Sequence, residues 1–275
     1  MREAINQRRS IRSYSDQALT SREIEAIQSI LNDVHNIQAP FKTTIRTFFL
    51  TQSKTGQKET IGTYGFIQNA PAFFGGVTKN DFYSLIDFGY LFEWIILSLT
   101  KLGLGTVWLG GTFHRAQFKD YITEDEIIPA ILAVGYPENM SIKEKIIRMA
   151  AQANQRKPFD EIIQSSSEIK SFLESPWFKR IEPAFEAIRI APSASNKQPW
   201  RLIINSNDIH FYLEHTPRYG EKLGFDIQYL DMGIALLHFE IGLSDLNIKY
   251  TRQYFKNEMN RDGFEYIFTY RLDYH

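Results

Sequence analysis

Asp87-Phe88-Gly89-Tyr90-Leu91-Phe92-Glu93-Trp94-Ile95-Ile96-Leu97-Ser98-Leu99-Thr100-Lys101-Leu102 is apolar on nearly every side, which predicts a helix buried all round. Gly103-Leu104-Gly105 breaks it. A stretch of similar length and character begins at Asp231-Met232-Gly233 and ends at Asn247-Ile248, in matching register. An Ala-Pro step also follows a helix and precedes a strand twice, at Ala39-Pro40 and at Ala191-Pro192. Self-similarity of this kind reads as an internal repeat, and so as a chain of two similar halves.

At 275 residues the chain suits one large domain or two intimately joined ones. Its 31 Lys and Arg balance 32 Asp and Glu, which argues against binding to nucleic acid or to an anionic membrane. There is no Cys, so disulfides, thiol chemistry and Cys-ligated metals are excluded. The chain is charged from Arg2 onward with no apolar signal region, and Asp87, Glu93 and Lys101 interrupt the apolar run short of a membrane span. These features predict a soluble, cytoplasmic protein.

Residues 1–9 suit a short helix that brings Arg8 and Arg9 to its C-terminal end. Thr20-Ser21-Arg22-Glu23 is a capping box, opening a helix with Ile24, Ile27, Leu31 and Val34 on one face. Strands are expected at 41–51, 70–77 (ending at Gly75-Gly76), 106–109, 131–134, 208–214 and 266–272, with a polar loop at 52–60. Residues 179–190 read as an amphipathic helix. The polar, basic segment 141–158, with Arg148, Arg156 and Lys157, is the expected crossing between halves.

The loop Ala191-Pro192-Ser193-Ala194-Ser195-Asn196-Lys197-Gln198-Pro199-Trp200 concentrates hydroxyls, carboxamides and prolines in one turn. It is either a stiff helix-to-strand connection or a surface whose amides and hydroxyls bind a polar, planar partner. A second cluster, Arg8-Arg9-Ser10-Ile11-Arg12, lies far away in sequence. An Arg cluster of that sort is ordinarily a solvated face. His114 and His238 have no ligand partner at useful spacing, and no G-x-S-x-G or H-E-x-x-H occurs, so zinc and hydrolase chemistry is unsupported.

Taken together, Arg8-Arg9-Ser10-Ile11-Arg12, the run Gly103-Leu104-Gly105-Thr106-Val107-Trp108-Leu109-Gly110-Gly111, Arg156-Lys157-Pro158 and the Ala191-to-Trp200 loop resemble the nitroreductase family of FMN-dependent oxidoreductases. Ordinary members are two-fold dimers with two shared FMN sites; this chain resembles a fused version, one half standing for each subunit. The resemblance implies an α+β nitroreductase-like fold in two pseudo-symmetric halves, 1–158 and 159–275, each a sheet flanked by helices. The two buried helices would pack along the pseudo-two-fold axis, and a monomer with an intramolecular pseudo-dimer would suffice.

The same resemblance implies the cofactor contacts. Arg8, Ser10 and Arg156 would hold the FMN phosphate, with Arg9 beside them, because a dianion calls for guanidinium forks and an orienting hydroxyl. Arg12 would face the flavin N1 and C2 carbonyl, where charge collects on reduction. Trp108, Leu109, Gly110 and Gly111 would border the ring, Gly110 offering its N–H to N5; taken without the resemblance, the indole of Trp108 reads as core. Pro192, Ser193, Ala194, Ser195 and Asn196 would close over the ring and ribityl chain. The first half lacks the corresponding loop, continuing Phe41-Lys42-Thr43-Thr44, so one composite site per chain is expected.

The resulting expectation is an enzyme that passes hydride from NADH or NADPH through FMN to a flat acceptor, a nitroaromatic or quinone, by a ping-pong scheme. It needs no catalytic acid–base residue and no metal. The alternatives are a flavin-binding protein without turnover and a scaffold that binds no flavin. Residues over the flavin face, in 52–66 or 216–228, carry no readable acceptor code.

Overall fold

The computed structural model describes residues 1–51, 63–139, 142–150, 152–164, 169–255, 261 and 263–273. The polar segment expected at 52–60, and part of the crossing segment, lie outside them. In chain order the elements are α1 (Arg2–Gln7), α2 (Ser21–Asp33), β1 (Arg46–Thr51), β2 (Ala72–Lys79), α3 (Phe82–Lys101), β3 (Gly105–Leu109), β4 (Glu126–Ile127), β5 (Ile131–Gly135) and α4 (Ile142–Ala150). There follow α5 (Phe159–Ile162), α6 (Ile169–Glu174), α7 (Pro176–Arg189), β6 (Trp200–Asn205), β7 (Asp208–Leu213), α8 (Gln228–Asp245), β8 (Lys249–Gln253) and β9 (Glu265–Asp273). They form two compact units, Glu3–Ala153 with Met1, and Asn154–His275 with Arg2. Residues 154–158, Arg156 among them, therefore pack with the second unit.

The first unit holds an antiparallel sheet in the order β1-β2-β5-β3, with β4 beside β2. The expected strand at 41–51 is shorter, because the Asp87 carboxylate takes its first N–H groups: Phe41 N donates to Oδ1 at 2.9 Å and Thr43 N to Oδ2 at 2.8 Å. Donors claimed by a carboxylate cannot enter a ladder. The strand expected to end at Gly75-Gly76 instead runs through both glycines. A Cβ at Gly75 would stand 2.5 Å from Phe48 Cζ, and one at Gly76 2.6 Å from Phe92 Cζ. These positions are small because two rings press on the backbone from opposite faces.

Helix α3 starts before Asp87, at an Asp81 cap whose carboxylate accepts from Ser84 N at 3.0 Å. It is long and apolar enough to cross a membrane, with a mean hydropathy of 1.4, yet 78 % of that window is buried inside the fold. Phe88 and Phe92 stack at 4.0 Å along it. The capping box opens α2 as expected, Thr20 Oγ1 accepting from Glu23 N at 3.3 Å and Glu23 Oε2 from Thr20 N at 2.8 Å.

The second unit holds an antiparallel sheet in the order β6-β7-β9-β8. With the two-residue β4 set aside, both sheets place their strands first, second, fourth, third by chain order. Helix α8 likewise begins before Asp231, so both aspartates lie inside their helices. The helix ends match as well. Leu104 N bonds to Leu99 O at 3.1 Å past Gly103 at φ 76°, and Ile248 N to Leu243 O at 3.0 Å past Asn247 at φ 54°. Each is a left-handed stop, which Gly and Asn tolerate best. Helices α7 and α8 meet where Gly242 faces Ala184, with Phe185 and Phe239 at 5.7 Å alongside.

Candidate functional site

In the first unit the arginine segment is tied to β3. Ile11 N donates to Thr106 O at 2.9 Å, Gln68 N to Arg12 O at 2.9 Å, and Tyr14 N to Gln68 O at 3.0 Å. Gly105, read as part of a helix stop and of the Gly103-to-Gly111 run, permits this approach: a Cβ there would lie 2.8 Å from Ile11 Cγ1. Ser10 pairs with Thr106, so Arg8, Ser10 and Arg12 share one strip beside the start of β3, while Arg9 is exposed.

Arg8 is not solvated. Its side chain is 9 % exposed and its Nε lies 3.7 Å from Oε1 of the fully buried Glu93. Burial lowers its pKa, Glu93 opposes that, and the charge of Arg148 adds to it. Trp108 is half-buried and donates its indole N–H to Glu93 Oε2 at 3.0 Å, so one carboxylate on α3 serves both residues. Arg12 is likewise lowered by burial, with Glu144 opposing and Arg148 adding. Leu109 is core, whereas Gly110 and Gly111 emerge from β3 towards solvent. Arg115 folds back on them, donating to Gly110 O and, at 2.8 Å, to Pro129 O, with its guanidinium 4.5 Å above the Phe113 ring.

In the second unit the Pro192–Asn196 loop is held from beneath and from the side. Ala194 N donates to Asp231 Oδ1 at 2.9 Å, and Gln198 N to Ser193 Oγ at 2.9 Å. Tyr219 donates to Ser195 Oγ at 2.9 Å. Arg156 donates to Asn196 Oδ1 at 3.0 Å, which brings together two residues 40 positions apart. Ser195, Asn196 and Gln198 all have positive φ, at 48°, 55° and 49°. Only Asn accepts that readily, so these side-chain bonds stabilise the other two. A cavity of about 750 Å³ opens elsewhere in this unit, between the β6–β7 turn and Arg271, and no expected site residue lines it.

A family model described as "Putative TM nitroreductase" matches residues 1–243. This chain belongs to that nitroreductase family. Among solved structures, one from Thermotoga maritima described as a "putative nitroreductase" is 20 % identical, covering 98 % of this chain and 92 % of its own at a TM-score of 0.63. That likeness bears on the fold, which is the α+β nitroreductase fold. A nitroreductase family protein from Clostridium difficile is 18 % identical over 61 % of this chain and 98 % of its own, with a TM-score of 0.45. A nitroreductase from Bacteroides fragilis with bound FMN is 18 % identical over 51 % of this chain and 89 % of its own, at 0.38. No curated protein sequence matches significantly.

The residues of this nitroreductase suit an anionic cofactor. Arg8 carries a buried Nε with no hydrogen-bond partner among the described residues, and Arg148 brings further positive charge to both Arg8 and Arg12. Among the described residues no group of three or more His, Asp or Glu could hold a metal ion. Sequence reasoning missed Glu93, Glu144, Arg115 and Asp231 as parts of this machinery. For Glu93 and Asp231 the available signal was a charge inside an otherwise apolar stretch, which must find a partner when buried.

Asp231 illustrates the point. It is 2 % exposed, and its Oδ2 has no partner among the described residues. Burial pushes its carboxyl well above the usual range, the Ala194 N–H opposing and Asp226 adding. With the folded pKa raised, the unfolded chain ionises first as pH rises. Stability is then lost between the unfolded and folded values, at about 1.4 kcal/mol per pH unit. Asp231→Asn keeps the acceptor for Ala194 N without the charge. Its thermal midpoint is expected to exceed wild type at pH 7 and to equal it near pH 4; a gain independent of pH would contradict this account.

Proposed function

We propose that this protein is an FMN-dependent oxidoreductase that takes hydride from NADH or NADPH and passes it to a flat small-molecule acceptor, such as a nitroaromatic or quinone. Membership of the nitroreductase family supports flavin oxidoreductase chemistry. The observation that supports the reading is the buried Arg8, whose Nε has no hydrogen-bond partner among the described residues, with Arg148 adding positive charge to both Arg8 and Arg12. Guanidiniums so arranged call for a phosphate.

In this reading Arg8 and Ser10 bind the phosphate, joined by Arg156, which also steadies Asn196. Arg12 sets positive charge beside the pyrimidine edge of the ring, favouring its reduced form. Gly110 orients by its N–H, and the Gly110-Gly111 pair leaves the ring face free of side chains. Ser193, Ala194, Ser195 and Asn196 bind the ring and ribityl chain, held in shape by Asp231 and Tyr219. When bound, FMN supplies the two-electron chemistry, which is why no acid–base pair is required.

We further propose that the chain arose by internal duplication and works as a cytoplasmic monomer, an intramolecular pseudo-dimer with one flavin. The common strand order, the matched left-handed helix stops and the aspartates holding the loops after Ala39-Pro40 and Ala191-Pro192 support the duplication. The decisive experiment is spectroscopic. Purified protein should be yellow with a single FMN per chain, and NADH or NADPH should bleach it. Colourless protein that ignores added FMN defeats the proposal, and stable yellow protein that neither nicotinamide bleaches favours binding without turnover.

A further inference from the structure

His215, just past β7, has both ring nitrogens committed. Its Nδ1 lies 2.7 Å from Oδ2 of Asp226, which precedes α8, and its Nε2 lies 2.7 Å from Oε2 of Glu265 on β9. A carboxylate only accepts, and a neutral imidazole has a single N–H to give. Two such contacts at once require the doubly protonated ring. Tyr229 on α8 completes the surroundings, donating to Glu265 Oε2 at 3.0 Å with its ring edge-on to the imidazole at 6.1 Å. The neighbouring Glu214 pairs with Arg201. The hydrogen bonds to Asp226 and then to Glu265 hold the imidazolium up to about 9, against its partial burial. A value raised in this way keeps the ring cationic at neutral pH, and the proton leaves only as pH rises through about 9.

This cation sits at the base of the loop 216–227. Thr216 N donates to Gln228 Oε1 at 2.8 Å and Gln228 N to Asp226 Oδ1 at 2.8 Å, so Asp226 binds one end of the loop through each oxygen. Glu214 N donates to Pro199 O at 2.9 Å, which sets the start of the loop against the end of the Pro192–Pro199 turn. Within the loop, Tyr219 donates to Ser195 Oγ at 2.9 Å, its ring centroid 5.7 Å from the Lys197 ammonium. Ser195, at a φ of 48°, depends on such support. We propose that His215 is a positioning residue: as an imidazolium it ties the loop 216–227 shut, and so holds Tyr219 against Ser195 in the cofactor loop. Deprotonation leaves one carboxylate facing a bare nitrogen lone pair, and the tie opens. This rests on the flavin reading only for what the Ser195 loop binds.

Three measurements on the full chain test this: NMR titration of the His215 ring, trypsin cleavage between Arg218 and Tyr219 relative to a free peptide of that sequence, and FMN affinity. All three should share a midpoint near 9. FMN should weaken about tenfold across it, the scale of one hydrogen bond lost. Glu265→Gln should lower the shared midpoint by about one pH unit or more, because one carboxylate no longer holds the proton. His215→Gln should remove the pH dependence from cleavage and affinity, with the loop cut readily and FMN held at the weakened level throughout. Should His215→Gln fail to fold, Glu265→Gln decides alone. A ring that titrates at the ordinary histidine value, or cleavage or affinity that ignores its titration, overturns the proposal. A protein that binds no FMN at neutral pH overturns the flavin reading instead, and cleavage then judges the tie by itself.

Discussion

Arg8→Met is expected to destabilise the first unit by about 3–5 kcal/mol, because it strips the cation from a fully buried carboxylate. Glu93 is 0 % exposed, and the substitution removes its ion pair with Arg8 while leaving the Trp108 indole in place. The partner substitution makes the account testable. Arg8→Met with Glu93→Gln replaces an ion pair by neutral groups of similar size, and most of the lost stability should return in denaturant unfolding. FMN retention should not return, since the guanidinium is absent from both variants. The pattern therefore separates a structural arginine from one that also binds the cofactor. A loss from Arg8→Met below about 1 kcal/mol would mean that the guanidinium is solvated after all.

Gly242→Val is expected to destabilise the second unit by about 3 kcal/mol, the upper end of what overpacking causes. A Cβ at Gly242 would stand 2.5 Å from Ala184 Cα and 2.9 Å from its Cβ. No rotamer change relieves a collision with backbone, so α7 and α8 would have to separate. Phe185 and Phe239, packed at 5.7 Å, would separate with them. Opening the opposing position by Ala184→Gly should recover part of the loss. Thermal unfolding of the single and double variants measures it, and a Gly242→Val protein as stable as wild type would show that the helices are not packed at this point.

What could be read in advance was local. Thr20 and Glu23 reveal a helix start because the capping box is closed within one turn. Gly103 and Asn247 reveal helix stops because their left-handed backbone is intrinsic to the residue type. Misreadings occurred where a distant group intervened. Asp87 and Asp231 looked like helix starts, since the apolar runs open there. Each is instead an interior residue holding a loop from another part of its unit. Gly75-Gly76 looked like a strand end, because the rings that require their small size come from Phe48 on β1 and Phe92 on α3.

The cofactor motifs follow the same division. Sequence by itself determined the family, the alternation of helices and strands, and the residue types suited to a phosphate and a flat ring. Residue type and short-range spacing encode propensity, caps and periodicity without reference to the rest of the chain. Only tertiary structure decided which polar groups meet: Arg8 with Glu93, Arg156 with Asn196 and the Ala194 amide with Asp231. The physical reason is desolvation. A charge removed from water takes whatever partner the packed fold brings within reach, and no one-dimensional pattern specifies that distance.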